Sequence, residues 1–265
     1  DGNNTLDILL GSNRNNLYLI DDDKGIEFVD ISNIQKPIIN WTYGNEGGDK
    51  PGYAKGVDLV QINESSFAAT FRKDWNEPVE REYDEFELFK IDNGVITPES
   101  AQSILYRSGA DEEYGSDLKL AYSSSDDVLF VSSKGLGISS YDISDLSLPV
   151  KKDFYHRYEE GDIGTIADIA ISPDNDNLLY AATSYGLHVF DIENPSEISL
   201  KGKSSTIGIY PEGNDITFSP DGDYLYMSGN RNGIEIFELR YSELKPYNPP
   251  SPKISETGAE FGYQL

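Results

Sequence analysis

An aspartate followed by Ile or Leu opens the inner segment of each of five repeats in the 265-residue sequence: Asp7-Ile8, Asp58-Leu59, Asp117-Leu118, Asp168-Ile169 and Asp215-Ile216. A carboxylate that recurs in this way has two uses. It accepts backbone N–H bonds and ties one structural unit to the next, a role suited to charge-assisted hydrogen bonds. Alternatively, with the units gathered about an axis, the five carboxylates form an acidic ring. Like charges at short range repel and raise some of their pKa values, so such a ring needs hydrogen bonds or a cation. Calcium suits the oxygen ligands. Recurrence in every unit favours the tie, because a catalytic centre breaks repeat symmetry. Asp7, Asp58, Asp117, Asp168 and Asp215 are the candidate metal ligands.

Little else in the chain carries chemistry. Cysteine is absent, which excludes disulfides, thiolate nucleophiles and cysteine-ligated metals. The two histidines, His156 and His188, are too few for a histidine-rich metal site. No G-x-S-x-G elbow, P-loop or dinucleotide fingerprint occurs. Glycoside hydrolysis is the enzyme alternative, and it needs two carboxylates in unlike environments. The five aspartates share one sequence context, which argues against it, so no catalytic residue is assigned. Glu46, Glu112, Glu159 or Glu212 would have to supply the asymmetry.

The elements around these residues repeat. Ile26–Ile31, Phe86–Ile91, Ile138–Ile143, Leu187–Ile192 and Ile234–Leu239 share an apolar, β-branched signature, with starts 60, 52, 49 and 47 residues apart. An aromatic-aliphatic strand precedes each one: Leu17–Ile20, Phe67–Phe71, Val128–Val131, Leu178–Thr183 and Tyr224–Met227. Gly25, Gly137, Gly186 and Gly233 close four of the intervening turns and supply the positive φ that a hairpin wants. An aspartate-bearing strand lies upstream of each pair, joined to it by a polar turn such as Ser172–Asp176 or Ser219–Asp223. Pro37–Thr42 and Pro149–Tyr155 supply fourth strands. A unit of four antiparallel strands in about fifty residues is a propeller blade. The expected fold is therefore all-β: a five-bladed β-propeller over residues 1–240, with truncation from a larger propeller as the alternative. Residues 241–265, rich in proline, form a tail or close the last blade.

Strand alternation puts the inter-blade loops, and the hairpins between second and third strands, on the same face as the aspartates. The loops carry Tyr53, Tyr106, Arg107, Tyr114, His156, Arg157, Tyr158 and Tyr210. The second repeat adds an insertion, Arg72–Glu85, with Trp75 and Tyr83 among acidic residues. Exposed tyrosine and tryptophan give rigid contact area with a polar handle, so these ten residues are the candidate ligand contacts. Packing between blades is the competing use for any single tyrosine.

The string x-Ile-x-Φ-Asp-Ile-Ser-Asn/Asp-x-x-x-Pro, where Φ is apolar, is clearest at Ile26–Pro37 and Ile138–Pro149 and shortened at Leu187–Pro195. It resembles the LVIVD repeat of bacterial and archaeal surface propellers. The Ser-Pro-Asp turns of repeats four and five are similar to the related PD40 type of propeller repeat. The likeness spans about residues 5–240. It implies an extracellular or cell-surface protein that binds protein or carbohydrate, or a subunit of a surface filament or layer. Three Asn-x-Ser/Thr triplets, at Asn3, Asn40 and Asn63, are compatible with secretion. The formal net charge of −26, from 47 acidic and 21 basic residues, repels phosphate backbones and makes nucleic acid an unfavourable partner. No run of eighteen apolar residues is present to span a membrane.

Overall fold

A computed structural model of the chain describes residues 5–21, 25–43, 54–73, 83–92, 95–104, 118–204, 213–229, 233–239, 245–246, 254–255 and 258–259. They form a five-bladed β-propeller. The first blade is β1 (Thr5–Leu10), β2 (Asn16–Asp21), β3 (Gly25–Asp30) and β4 (Ile38–Tyr43). The second is β5 (Ala54–Gln61), β6 (Ser66–Lys73), β7 (Tyr83–Asp92) and β8 (Val95–Ile104). The third is β9 (Leu118–Ser123), β10 (Val128–Ser133), β11 (Gly137–Asp142) and β12 (Val150–His156). The fourth is β13 (Ile166–Ile171), β14 (Leu178–Thr183), β15 (Gly186–Asp191) and β16 (Ser199–Lys203). The fifth is β17 (Gly213–Phe218), β18 (Tyr224–Gly229), β19 (Gly233–Glu238) and β20 (Lys245–Pro246). Each is an antiparallel meander with its strands in chain order. Lys245 and Pro246 pair with Glu238 and Phe237, so the proline-rich stretch supplies the fifth blade's outer strand. A short hairpin joins β21 (Ile254–Ser255) to β22 (Gly258–Ala259).

The repeat has a physical cause at each corner. Alternation along every strand gives one apolar face toward the preceding blade and one toward the next. Tyr18, Ile20 and Ile26 of the first blade pack on Leu59, Phe67 and Phe89 of the second. Phe86 and Leu88 meet Leu120, Leu129 and Tyr141 of the third. Phe130, Ile138 and Tyr155 meet Ile169, Leu179 and Phe190 of the fourth. Leu187 and Val189 meet Ile216, Met227 and Phe237 of the fifth. The core is thus four sheet-on-sheet contacts, with aromatic pairs such as Tyr155 edge-on to Phe190 at 5.0 Å.

The Asp-Ile-Ser-Asn/Asp string reads as two successive turns closed by side chains. Asp142 Oδ1 accepts the Ser144 N–H at 3.1 Å, and Asp145 Oδ1 accepts that of Ser147 at 3.0 Å. Asp30 and Asn33, and then Asp191 and Asn194, repeat the arrangement in the first and fourth blades. Such local bonds hold the chain in a turn at little entropic cost. They hold the Asp142 carboxyl down at about 2, chiefly through the Ser144 hydroxyl. The residue that ends each signature (Ile31, Ile91, Ile143, Ile192 and Leu239) donates its N–H to the polar turn between the first two strands in all five blades.

Within the insertion Arg72–Glu85, Arg72 and Lys73 pair with Asp84 and Tyr83 and lengthen the hairpin of the second blade. Trp75 and the rest of 74–82 lie outside the described residues.

Gly137 shows what the hairpin glycines do. Its φ is +138°, and a Cβ there would strike the Tyr155 carbonyl oxygen across the β11–β12 pair. Gly161 also has positive φ, +107°, but has nothing within 4 Å of the Cβ position. Gly137→Ala should therefore destabilise the fold by at least ~1 kcal/mol more than Gly161→Ala, measured as the difference between their urea unfolding free energies.

Candidate functional site

On the aspartate rung, charged side chains from all five blades act on one another. A register shift immediately precedes Asp7, Asp58, Asp168 and Asp215, and each then pairs with the corresponding residue of the second strand: Ile20, Thr70, Ala182 and Ser228. The third blade has no such shift. Its β9 pairs straight through, and Lys119 stands opposite Ser132 on the same rung. Asp117 lies outside the described residues. Among the described residues the rung is thus four carboxylates and one ammonium.

Two of the carboxylates tie neighbouring blades. Asp58 Oδ2 accepts the Leu120 N–H of the third blade at 2.7 Å, and its Oδ1 accepts the Leu59 N–H at 2.9 Å. Asp168 Oδ2 accepts the Ile216 N–H of the fifth blade at 2.9 Å. Asp7 accepts its own neighbour, Ile8, at 2.7 Å. Leu120 and Ile216 are equivalent positions, each one residue past the rung. A lysine cannot accept a hydrogen bond, so Lys119 cannot make the same tie to the fourth blade.

The electrostatics follow from burial. Asp58 is buried, and desolvation lifts its carboxyl above the usual range against the opposing pull of Lys119 and the Leu120 N–H. Asp168 is raised by burial, by its hydrogen bond to Asp215 and by Asp58. Asp215 and Asp7 are exposed. Burial pulls the Lys119 ammonium down, but Asp58, Asp168, Asp7 and Asp215 together leave it above its ordinary value. The ring carries its own cation, in the third blade. Among the described residues, no group of three or more His, Asp or Glu side chains converges as a metal site.

A second cluster lies at the rim, where residues 157–165 run from the outer strand of the third blade to the inner strand of the fourth. The His156 ring stands edge-on to Phe154 at 5.9 Å and leans on Tyr158 at 5.5 Å. The Tyr158 N–H donates to His156 Nδ1 at 3.3 Å, and Glu159 Oε2 accepts the His156 N–H at 3.1 Å. Arg157 is buried, and its guanidinium lies 4.3 Å from the Tyr158 ring centre. It therefore supports Tyr158 from beneath, whereas the sequence reading placed it among the contacts. Tyr185, from the β14–β15 hairpin, reaches Asp162 Oδ2 with its hydroxyl at 3.3 Å. The aromatic body of Tyr155 packs in the core, and its hydroxyl is pushed up to about 12 by burial.

Of the ten candidate contacts, the structure brings His156, Arg157 and Tyr158 together at the rim, away from the central ring. Tyr53, Trp75, Tyr106, Arg107, Tyr114 and Tyr210 lie outside the described residues, as does the side chain of Tyr83. His188 is buried within β15, with Nδ1 3.2 Å from Thr183 Oγ1. Lys119 and Tyr185 were missed in the sequence. The alternation Leu118-Lys119-Leu120 carried the signal for Lys119, since the apolar pair must face the second blade and the lysine between them the other way.

No family model matches the chain, and no curated protein matches it. Among solved structures it is similar to a protein from Lactobacillus plantarum, with 15% identity and a TM-score of 0.68 over 92% of this chain and 70% of that one. It is similar to the major Malassezia sympodialis allergen Mala s 1, with 15% identity and a TM-score of 0.65 over 92% of this chain and 78% of that one. A luciferin-regenerating enzyme matches at 13% identity and a TM-score of 0.54 over 84% of this chain and 68% of that one. At these identities the likeness is one of fold.

Two outcomes test the ring. Asp58→Asn and Lys119→Met, alone and combined, should couple by about 1–3 kcal/mol in urea unfolding, since each loses a partner in the other. Stability should also depend on pH through Asp168. Its folded-state pKa is raised, so the folded chain binds more protons than the unfolded one between the ordinary carboxylate pKa and the raised value. Stability from this group is therefore full at the acid end and falls as pH rises through that interval. Asp168→Asn should flatten the slope of the urea midpoint against pH.

Proposed function

We propose that the chain is a secreted or cell-surface binding module that engages a protein or carbohydrate ligand through the loop face carrying the rim cluster. The observation behind this reading is that Tyr158 and Tyr185 are 45% and 53% exposed and yet held: the first rests on a buried arginine, the second is bonded to Asp162. Aromatic rings fixed before a ligand arrives lose little entropy on binding. Tyr53, Trp75, Tyr83, Tyr106, Arg107, Tyr114 and Tyr210 extend the proposed surface, and His156 borders it. The repeat's resemblance to LVIVD surface propellers supports the compartment. In this reading the central ring holds blades together and leaves recognition to the loops.

A hydrolytic reading has one observation in its favour. Asp168 and Asp215 are hydrogen-bonded carboxyls in unlike surroundings, one buried and raised, the other exposed. Such a pair is what acid–base chemistry on a glycosidic bond uses. Turnover of any member of a glycoside panel, lost in Asp168→Asn, would favour it.

The binding reading predicts retention on a glycan array or on a phage-displayed peptide library. Tyr158→Ala with Tyr185→Ala should weaken that retention about tenfold or more at unchanged thermal midpoint. Trp75→Ala should weaken it independently. Retention unaffected by all three substitutions would remove the loop face from the reading.

A further inference from the structure

The four junctions between consecutive blades are built alike, and the remaining boundary, between the fifth blade and the first, is not. Just past the rung, Leu59, Leu120, Ile169 and Ile216 are 4%, 4%, 3% and 6% exposed, each covered by the blade before it. Their counterpart in the first blade, Ile8, is 58% exposed, and Leu10 on the same face is 51% exposed. The other half of the junction shows the same break. Ile26, Phe86, Ile138 and Leu187 open the signature strands and are at most 1% exposed, each lying against the next blade. Their counterpart in the fifth blade, Ile234, is 69% exposed. The hydrogen bonding points the same way: Asp58 and Asp168 each reach into the following blade, and Asp215 holds their place in the fifth, which no further blade follows among the described residues.

Both faces of this seam are thus the apolar halves of a junction that the molecule makes four times elsewhere, and among the described residues neither is covered by its complement. We propose that the seam is a docking site for one further four-stranded sheet of the same repeat, inserted between the fifth blade and the first. Its chemistry is set by the faces it must meet. Toward the fifth blade it presents an inner strand with an aliphatic residue against Ile234, and a backbone N–H for the Asp215 carboxylate. Toward the first blade it presents an apolar signature strand over Ile8 and Leu10. Burial of these side chains is what stabilises the other junctions, and stacking of like units is how repeat folds cover their end faces. Seams in propellers and solenoids are where edge exposure must be managed, and a matching sheet manages it without a new interface type.

The test uses the full chain with a second copy of its own fourth blade, residues 163–212, appended through a flexible Gly-Ser linker. The appended sheet should raise the urea midpoint by about 0.5 M or more and slow hydrogen exchange at the Ile8 and Ile234 amides at least tenfold. Ile8→Asp or Ile234→Asp should abolish both effects in the extended chain while leaving the midpoint of the parent chain unchanged. An unchanged midpoint with unprotected amides in the extended chain overturns the proposal. So does loss of stability in the parent chain on either substitution, since that would mean the fifth blade already closes on the first. A parent chain that is dimeric by light scattering, and becomes monomeric with Ile8→Asp, also overturns it by assigning the seam to a second copy.

Discussion

A β-blade exposes backbone N–H groups wherever its inner strand turns toward the axis, and these groups need acceptors that the blade itself does not provide. Asp58 and Asp168 meet this need by reaching across to the next sheet. A carboxyl oxygen is a strong acceptor for a backbone N–H, and burial makes the bond costly to leave unmade. The same burial would make a ring of carboxylates self-destructive, since each would desolvate beside its neighbours. Lys119 resolves the conflict. It enters on the rung itself, in the third blade, so the charge that offsets the carboxylates comes from the fold. The apolar junctions outside the ring then pack sheets whose inner edges are already aligned.

Most of the architecture was legible because it rests on local rules. The four-strand unit follows from alternation, turn glycines and near-constant spacing, and the second and third strands expected from them match those observed to within three residues at each end. The Asp-Ile-Ser-Asn/Asp string was recognised as a pattern before it had a cause, and paired side-chain-closed turns supply one. The fifth blade's outer strand was hidden because Pro246 reads as a strand breaker; proline is tolerated at an edge, where no N–H is needed.

At the third blade the sequence reading and the described rung part for a definable reason. Counting aspartates before aliphatic residues assumes that the same sequence context implies the same rung. A one-residue bulge ahead of Asp7, Asp58, Asp168 and Asp215 sets their position, and without the bulge in the third blade the rung moves on to Lys119. Bulges have no reliable signature in a single sequence. The rim cluster was half legible: His156 and Tyr158 were found from composition, but the burial of Arg157 beneath a tyrosine depends on a loop path that sequence does not encode in any simple period. Tyr185 was passed over because it sits in a two-residue hairpin, a place that usually signals only a turn.

Five equal charges around an axis would produce a field with no preferred azimuth, and anything on the axis could turn freely within it. Four acids facing one base produce a transverse dipole instead, fixed to the blade that bears the base. The propeller therefore has a compass bearing as well as a top and a bottom.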